Sequence, residues 1–309
     1  FFPYCTLLAL ACLALGQARA ETLKEARQFY AIGEYAKAIE SCEKAIAAKE
    51  YDSGWRLLLM RARLATGRYP EAARFATDLL DDYRYRSNAE ALWLFHLAYE
   101  ANGDATQATQ MLEVIRQFIN GRRAISDENT IVFVGRAALK LKTYDPKQVK
   151  ENLYDRVLQS DPDNREALLA VGELALAKRD FKLAGRTFTR AIGYYPEDAD
   201  LLHGLAKAYA ESDPSQMEEP LHTAMFANPD HVPSLLLQAH NQADAEQYDA
   251  ANGILKAIFK VNPHHAASWA LQAALHTVRN EPAKAKAARA NGLKHWKANP
   301  LVDHEIGKK

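Results

Sequence analysis

The sequence carries no surplus of charge: 39 Lys and Arg stand against 39 Asp and Glu over 309 residues. There is no overall field to draw in nucleic acid or an anionic membrane, so such a partner would need a local patch. Cysteine is nearly missing. Of the three, Cys5 and Cys12 fall in the first twenty residues and only Cys42 lies beyond them. The rest of the chain therefore has no internal disulfide even in an oxidising compartment, and its stability comes from packing. Arrangements that carry chemistry are absent too: there is no glycine-rich phosphate loop, no Ser/His/Asp set and no paired carboxylates at diagnostic spacing. His304-Glu305 lacks the second histidine a metal-binding helix needs four residues on, because that place is Lys308. The adjacent His264 and His265 follow Pro263 and would point in different directions on a helix, so they are read as solvent-exposed turn residues. Neither a cofactor nor a metal site is implied.

Long apolar runs are also lacking. Residues 4–16 are uninterruptedly apolar, but a membrane-spanning helix needs about twenty such residues. The Ala18-Arg19-Ala20 that follows has the small-residue pattern signal peptidase cuts. Residues 1–20 are therefore expected to be an export signal, cleaved before Glu21, and the protein periplasmic or secreted with no integral membrane span after removal. A lipoprotein signal ending at Cys12 fits less well, because Ala9-Leu10-Ala11 precede it in place of a Leu-led triplet.

What is present is an ordinary globular composition, 48% hydrophobic and 25% charged, enough for a substantial core. Its prolines keep time. Pro162, Pro196, Pro229 and Pro263 follow one another at 34, 33 and 34 residues. Between them Leu168, Val171 and Ala175 fall three and four apart, one stripe of a helix, and Ala184, Phe188 and Ala191 form a second stripe. Gly172 and Ala184 are small where two antiparallel helices of one unit come close. A proline ends the second helix and suits the first positions of the next, where a missing N–H costs nothing. The turn between paired helices recurs around Gly33, Gly67 and Gly103, glycine supplying left-handed geometry.

A period near 34 with a small residue at the eighth place, Ala at the twentieth and Pro at the thirty-second closely resembles the tetratricopeptide pattern. The resemblance covers nearly all of the chain after residue 20. It implies an all-α, right-handed superhelical solenoid of antiparallel helix pairs with about eight repeats, beginning near Glu21, Ser53, Ala89, Glu128, Arg165, Ala199, Val232 and Ala266. Repeats 1–3 would occupy residues 21–120 and repeats 4–8 residues 128–300, with 301–309 opening a further unit. Residues 121–127 form a longer connection and the best hinge candidate, with Asn120-Gly121 closing one helix and Ser126 capping the next. Pro220 should delay the second helix of the sixth repeat to near Glu218.

The remaining clusters read as structure. Cys42 takes the core place that Phe188 holds elsewhere. Tyr and Arg interleave in residues 81–88 as in single-strand nucleic-acid sites, but in one short loop led by two aspartates. Lys284, Lys286, Arg289, Lys294 and Lys297 make a solvated helix face. Trp55, Trp93, Trp269, Tyr99 and Tyr209 belong between repeats, Trp93 nearest the inner wall.

The resemblance also implies that first helices line a concave groove. Trp93, Glu100, Arg136, Lys140, Glu173, His203, Lys207, Leu236, His240 and Asp244 are the residues it places there. This mixture suits an extended peptide or a partner's helix better than a small molecule. The Lys/Asn/Asn/Lys/Arg set with which some family members clamp a terminal carboxylate is not found. The expected function is a non-catalytic scaffold for a protein or peptide partner, with no nucleic acid bound. The alternative is the repeat-bearing front of a larger exported enzyme, peptidase-like, with catalysis beyond residue 309.

Overall fold

The computed structural model describes residues 21–118 and 127–307. The expected export signal at 1–20, and Asn120, Gly121 and Ser126 of the longer connection, lie outside the described residues. Helices follow one another as α1 (Leu23–Ala31), α2 (Tyr35–Ala47), α3 (Gly54–Ala65), α4 (Tyr69–Leu80), α5 (Tyr83–Arg86), α6 (Ala89–Ala101), α7 (Ala105–Gln117), α8 (Glu128–Lys140), α9 (Pro146–Val149) and, after a π-helical turn at Lys150–Tyr154, α10 (Asp155–Ser160). Then come α11 (Arg165–Ala177), α12 (Phe181–Tyr194), α13 (Ala199–Ser212), α14 (Glu218–Ala227), α15 (Val232–Asp244), α16 (Tyr248–Val261), α17 (Ala266–Val278), α18 (Pro282–Gly292) and α19 (Pro300–Ile306). No strand occurs among the described residues. The first helices of the repeats, α1, α3, α6, α8, α11, α13, α15 and α17, start at or within two residues of the eight expected positions.

In the fifth repeat the packing is set by a side chain that needs room. Phe188 on α12 is fully buried, and a Cβ at Gly172 of its own repeat or at Gly204 of the next would run into its ring. One aromatic thus joins two repeats, and the absence of two side chains makes its seat. Starts are capped locally: Asn88, Asp104, Asp127, Asn164, Asp180 and Asp198 each accept a backbone N–H from the first turn that follows. The cap of α8 is therefore Asp127 and not Ser126. A carboxylate is the better choice there because it also bonds the Thr130 hydroxyl at 2.7 Å. α14 begins at Glu218 as expected, with Pro220 in its first turn, where its missing N–H would have had no helical partner.

The fourth repeat is three residues too long. Two of these extend the turn between α8 and α9, and the third is absorbed by the π-helical turn at Lys150–Tyr154. Tyr154 arrives where Phe188 sits in the next repeat, fully buried, against a Gly135 whose Cβ would strike its ring. The loop at residues 81–88 folds as α5, capped by Asp82, which also pairs with Arg84 at 2.6 Å, while Tyr85 is buried. Its aromatic-basic pattern is local structure.

The solenoid then meets itself. The Asn228 amide donates to the Tyr35 hydroxyl at 3.1 Å, and the Asn262 amide donates to the Tyr69 hydroxyl at 3.0 Å, each across 193 residues. Asn262 also donates to the Ala65 carbonyl at 3.2 Å. The turns within repeats 1 and 2 therefore abut the turns that follow repeats 6 and 7, so the chain comes round after a little under six repeats. A third contact sets Gly103 against the backbone of His295 and Trp296.

This contact explains the glycines. Gly33, Gly67 and Gly103 have φ of 86°, 72° and 80°, and the equivalent place in four later repeats is also left-handed but holds Lys142, Arg179, Glu246 and Asn280. Backbone geometry alone does not demand glycine. At the first three, a Cβ would collide with Asn228, Asn262 or the His295 carbonyl. Glycine stands where the next turn of the superhelix lies on top of it. His264 and His265 are half-buried, correcting their reading as solvent-exposed: the His264 ring lies 4.4 Å from His295 of the following repeat, and His265 Nδ1 sits 2.8 Å from the Ser268 hydroxyl.

Gly67→Ala should cost about 1–2 kcal/mol for the left-handed backbone and about 1–3 kcal/mol more for overpacking, while Arg179→Gly leaves stability unchanged or raised; urea midpoints compare them. Gly172→Leu should lose about 1–3 kcal/mol through Phe188, and an unshifted urea midpoint would contradict the packing described.

Candidate binding channel

Closure bounds a half-open cavity of about 750 Å³. Three first helices contribute along their length: Arg27, Tyr30 and Ala31 from α1, Leu57, Leu58, Arg61 and Leu64 from α3, and Glu90, Leu94 and Leu97 from α6. From the later repeats only the leading ends of first helices reach it, with Asn129, Arg165, Glu166, Asp198, Asp200 and His231. The closing residues Tyr35, Tyr69, Asn228 and Asn262 form part of the wall, so the self-contact and the cavity are one construction.

The wall is charged and its charges are held. Arg165 bonds Asp198 at 2.6 Å, Asp200 at 2.7 Å and Glu166 at 2.8 Å, and Arg61 bonds Glu90 at 2.8 Å. Burial works against the charge on Arg165, but the carboxylates of Asp200 and Asp198 override it and the guanidinium stays protonated. Burial likewise opposes the charge on Asp200, yet a hydrogen bond from His231 and the guanidinium of Arg165 hold it far below the usual carboxylate range. His231 Nε2 lies 3.1 Å from Asp200 and its Nδ1 2.8 Å from the Ser234 hydroxyl, a geometry that a neutral imidazole satisfies by donating to one and accepting from the other. The hydroxyl of Tyr30 is pushed up to about 12, by burial first and then by Asp200.

None of the ten residues placed on the inner wall from sequence lines this cavity. Five of them, Trp93, Glu100, Arg136, Lys140 and Glu173, meet one another across neighbouring first helices. Lys140 on α8 bonds Glu100 on α6 at 2.9 Å. Arg136 reaches Glu173 and Glu166 of α11 at 3.4 Å each, and its guanidinium carbon lies 5.8 Å from the Trp93 ring. Burial pushes the Glu173 carboxyl up while Arg136 pulls it down. His203 packs edge-on against His231 at 5.8 Å, and burial, with the nearby His231 and Lys207, depresses it to about 3. Lys207 and Asp244 are exposed, while Leu236 and His240 are partly buried, Leu236 against the core of α15 and α16.

Sequence spacing missed the cavity because it was assigned repeat by repeat. In the later repeats the cavity-facing residues include the second of the first helix, Asn129, Glu166, Asp200 and Pro233, one turn before His203 and Leu236 and two turns before Arg136, Glu173 and Lys207. The available signal was the recurrence of Asn-Pro at 228 and 262 with His and Ser three and six residues after each Asn, matched by Gly-x-Tyr at 33 and 67.

Tyr35→Phe should cost about 1–3 kcal/mol, because it leaves the buried Asn228 amide without its acceptor. Tyr69→Phe should cost less, since Asn262 keeps the Ala65 carbonyl. Paired, the two should enlarge the radius of gyration in X-ray scattering while circular dichroism keeps its helix content. Stability should also fall as pH drops below about 6.5: the unfolded chain takes up protons there, whereas partly buried His203 and His265 stay neutral down to about 3 and about 4. His203→Gln with His265→Gln should flatten the urea midpoint between those limits.

No protein-family model and no curated protein sequence matches the chain. Solved structures do. The chain is similar to one in the Cut9–Hcn1 hetero-tetramer of APC/C, at a TM-score of 0.59 and 13% identity over 93% of this chain and 55% of that one. It is similar to TTC0263, a thermophilic TPR protein of Thermus thermophilus, at a TM-score of 0.51 and 18% identity over 59% of this chain and 98% of that one. The chain thus spans about half the length of the Cut9–Hcn1 chain it matches. By fold it is a tetratricopeptide-repeat solenoid, wound tightly enough to touch itself.

Proposed function

We propose that the protein is a non-catalytic interaction scaffold whose half-open cavity receives an extended segment of a protein or peptide partner. One observation carries this reading: side chains from repeats at both ends of the chain converge on a single cavity of about 750 Å³, a size common among ligand sites. Its wall has an apolar strip in Leu57, Leu58, Leu64, Leu94 and Leu97 and hydrogen-bonding groups opposite. An extended backbone needs that combination, apolar contacts for alternate side chains and polar groups for its amides. The paired stripe from Trp93 and Glu100 through Arg136, Lys140 and Glu173 to His203 and Lys207, with Leu236, His240 and Asp244 beyond, continues the inner wall and offers the partner's flanking residues a surface. Export of the protein belongs to the same proposal and is supported by the apolar leader at 4–16 and the single later cysteine.

Selection from a random peptide display library against the folded protein tests this. Enriched peptides should lose at least about tenfold in affinity, about 1.4 kcal/mol, when Leu97→Trp fills the cavity. Peptides that bind the variant unchanged would place recognition elsewhere.

A further inference from the structure

Three Arg lie on the cavity wall, and their carboxylate partners outnumber them. Arg61 is taken up by Glu90. Arg165 serves Asp198, Asp200 and Glu166, the last shared with Arg136, which lies off the wall and also meets Glu173. Glu197 stands on the wall, exposed, and makes no ion pair among the described residues. On the wall itself three guanidiniums, Arg27, Arg61 and Arg165, face five carboxylates, Glu90, Glu166, Glu197, Asp198 and Asp200, an excess of two negative charges at one place in a chain whose net charge is zero.

A second, independent observation concerns aromatic rings. Tyr30 and Tyr35 meet edge to face at 5.3 Å on this wall, and Tyr69 lies there as well. Ring faces beside carboxylates attract cations, through the ring quadrupole and through charge. Asp200 adds direction: although bonded to Arg165 and His231, its side chain keeps half its surface exposed, and that surface opens to the cavity. Low-dielectric walls concentrate such a field.

We infer that the segment the cavity accepts is basic, an extended stretch bearing Lys or Arg side chains that reach Asp200 and Glu197 past the tyrosine rings. This rests on the cavity being the binding site. An acidic segment would add its charge to an existing excess, and a neutral one would leave that excess uncompensated.

Three labelled decapeptides test it by fluorescence anisotropy with the full chain: alternating Lys/Ser, Gln/Ser and Glu/Ser. The Lys peptide should bind at least about tenfold tighter than the Gln peptide, weaken as salt rises from about 0.05 M to about 0.5 M, and show the Glu peptide not binding. Glu197→Gln, at an exposed site, should weaken the Lys peptide about threefold with circular dichroism unchanged, and Leu97→Trp should abolish its binding. Equal binding of the Gln or Glu peptide overturns the charge preference while leaving the cavity as the site. Lys-peptide binding that survives Leu97→Trp, or no binding by any of the three, overturns both this inference and the reading beneath it.

Discussion

The molecule depends on a place where side chains are missing. Three turns, at Gly33, Gly67 and Gly103, carry no Cβ, and onto them the chain lays Asn228, Asn262 and the His295 backbone. The same left-handed corner is occupied by Lys, Arg, Glu and Asn where nothing covers it, so the glycines mark contact and not merely turn geometry. An open solenoid has only neighbour contacts, and its stability is close to a sum over repeats. Hydrogen bonds across 193 residues end that one-dimensional character, because repeats 1 and 2 are then held by repeats 6 and 7 as well as by their neighbours.

Closure also decides where charge can gather. On an exposed concave wall, Arg and Glu from adjacent repeats would be screened and worth little. Here Arg165 and Asp198 are largely buried on a cavity shared with the first three repeats, which raises the stakes of their pairing, while Asp200 keeps half its side-chain surface open to the cavity. The stripe from Glu100 and Lys140 to Arg136 and Glu173 is more conventional: it stitches neighbouring first helices and neutralises itself. The two regions share helices and differ in what faces them.

The repeats were legible in the sequence because each rests on local pattern. Pro162, Pro196, Pro229 and Pro263, the small residues at 172 and 184, and the delayed helix at Glu218 all express constraints within about forty residues, and the structure agrees with each. The cavity was not legible in that way. The pairing of Tyr35 with Asn228 depends on accumulated superhelical rotation, which no single repeat displays. His264 and His265 looked exposed for a lesser version of the same reason, since the His264 ring packs on His295 of the following repeat and not within its own. The one trace available was comparative: glycine at the corner in the first three repeats and not later.

That rotation makes the fourth repeat consequential. It lies midway between the clasped ends, so an error in its phase would be carried into every later repeat. One uncompensated residue turns a helix by about 100°, which would take Tyr154 away from Gly135 and rotate α11 and all that follows. The π-helical turn at Lys150–Tyr154 spends the surplus residue before Tyr154 is reached, and the longer turn before α9 spends the other two. Tyr154 then occupies the aromatic seat that Phe188 fills in the next repeat, and the following helix starts in phase. A local defect in one helix is thus the condition under which Asn228 and Asn262, several repeats away, arrive opposite Tyr35 and Tyr69.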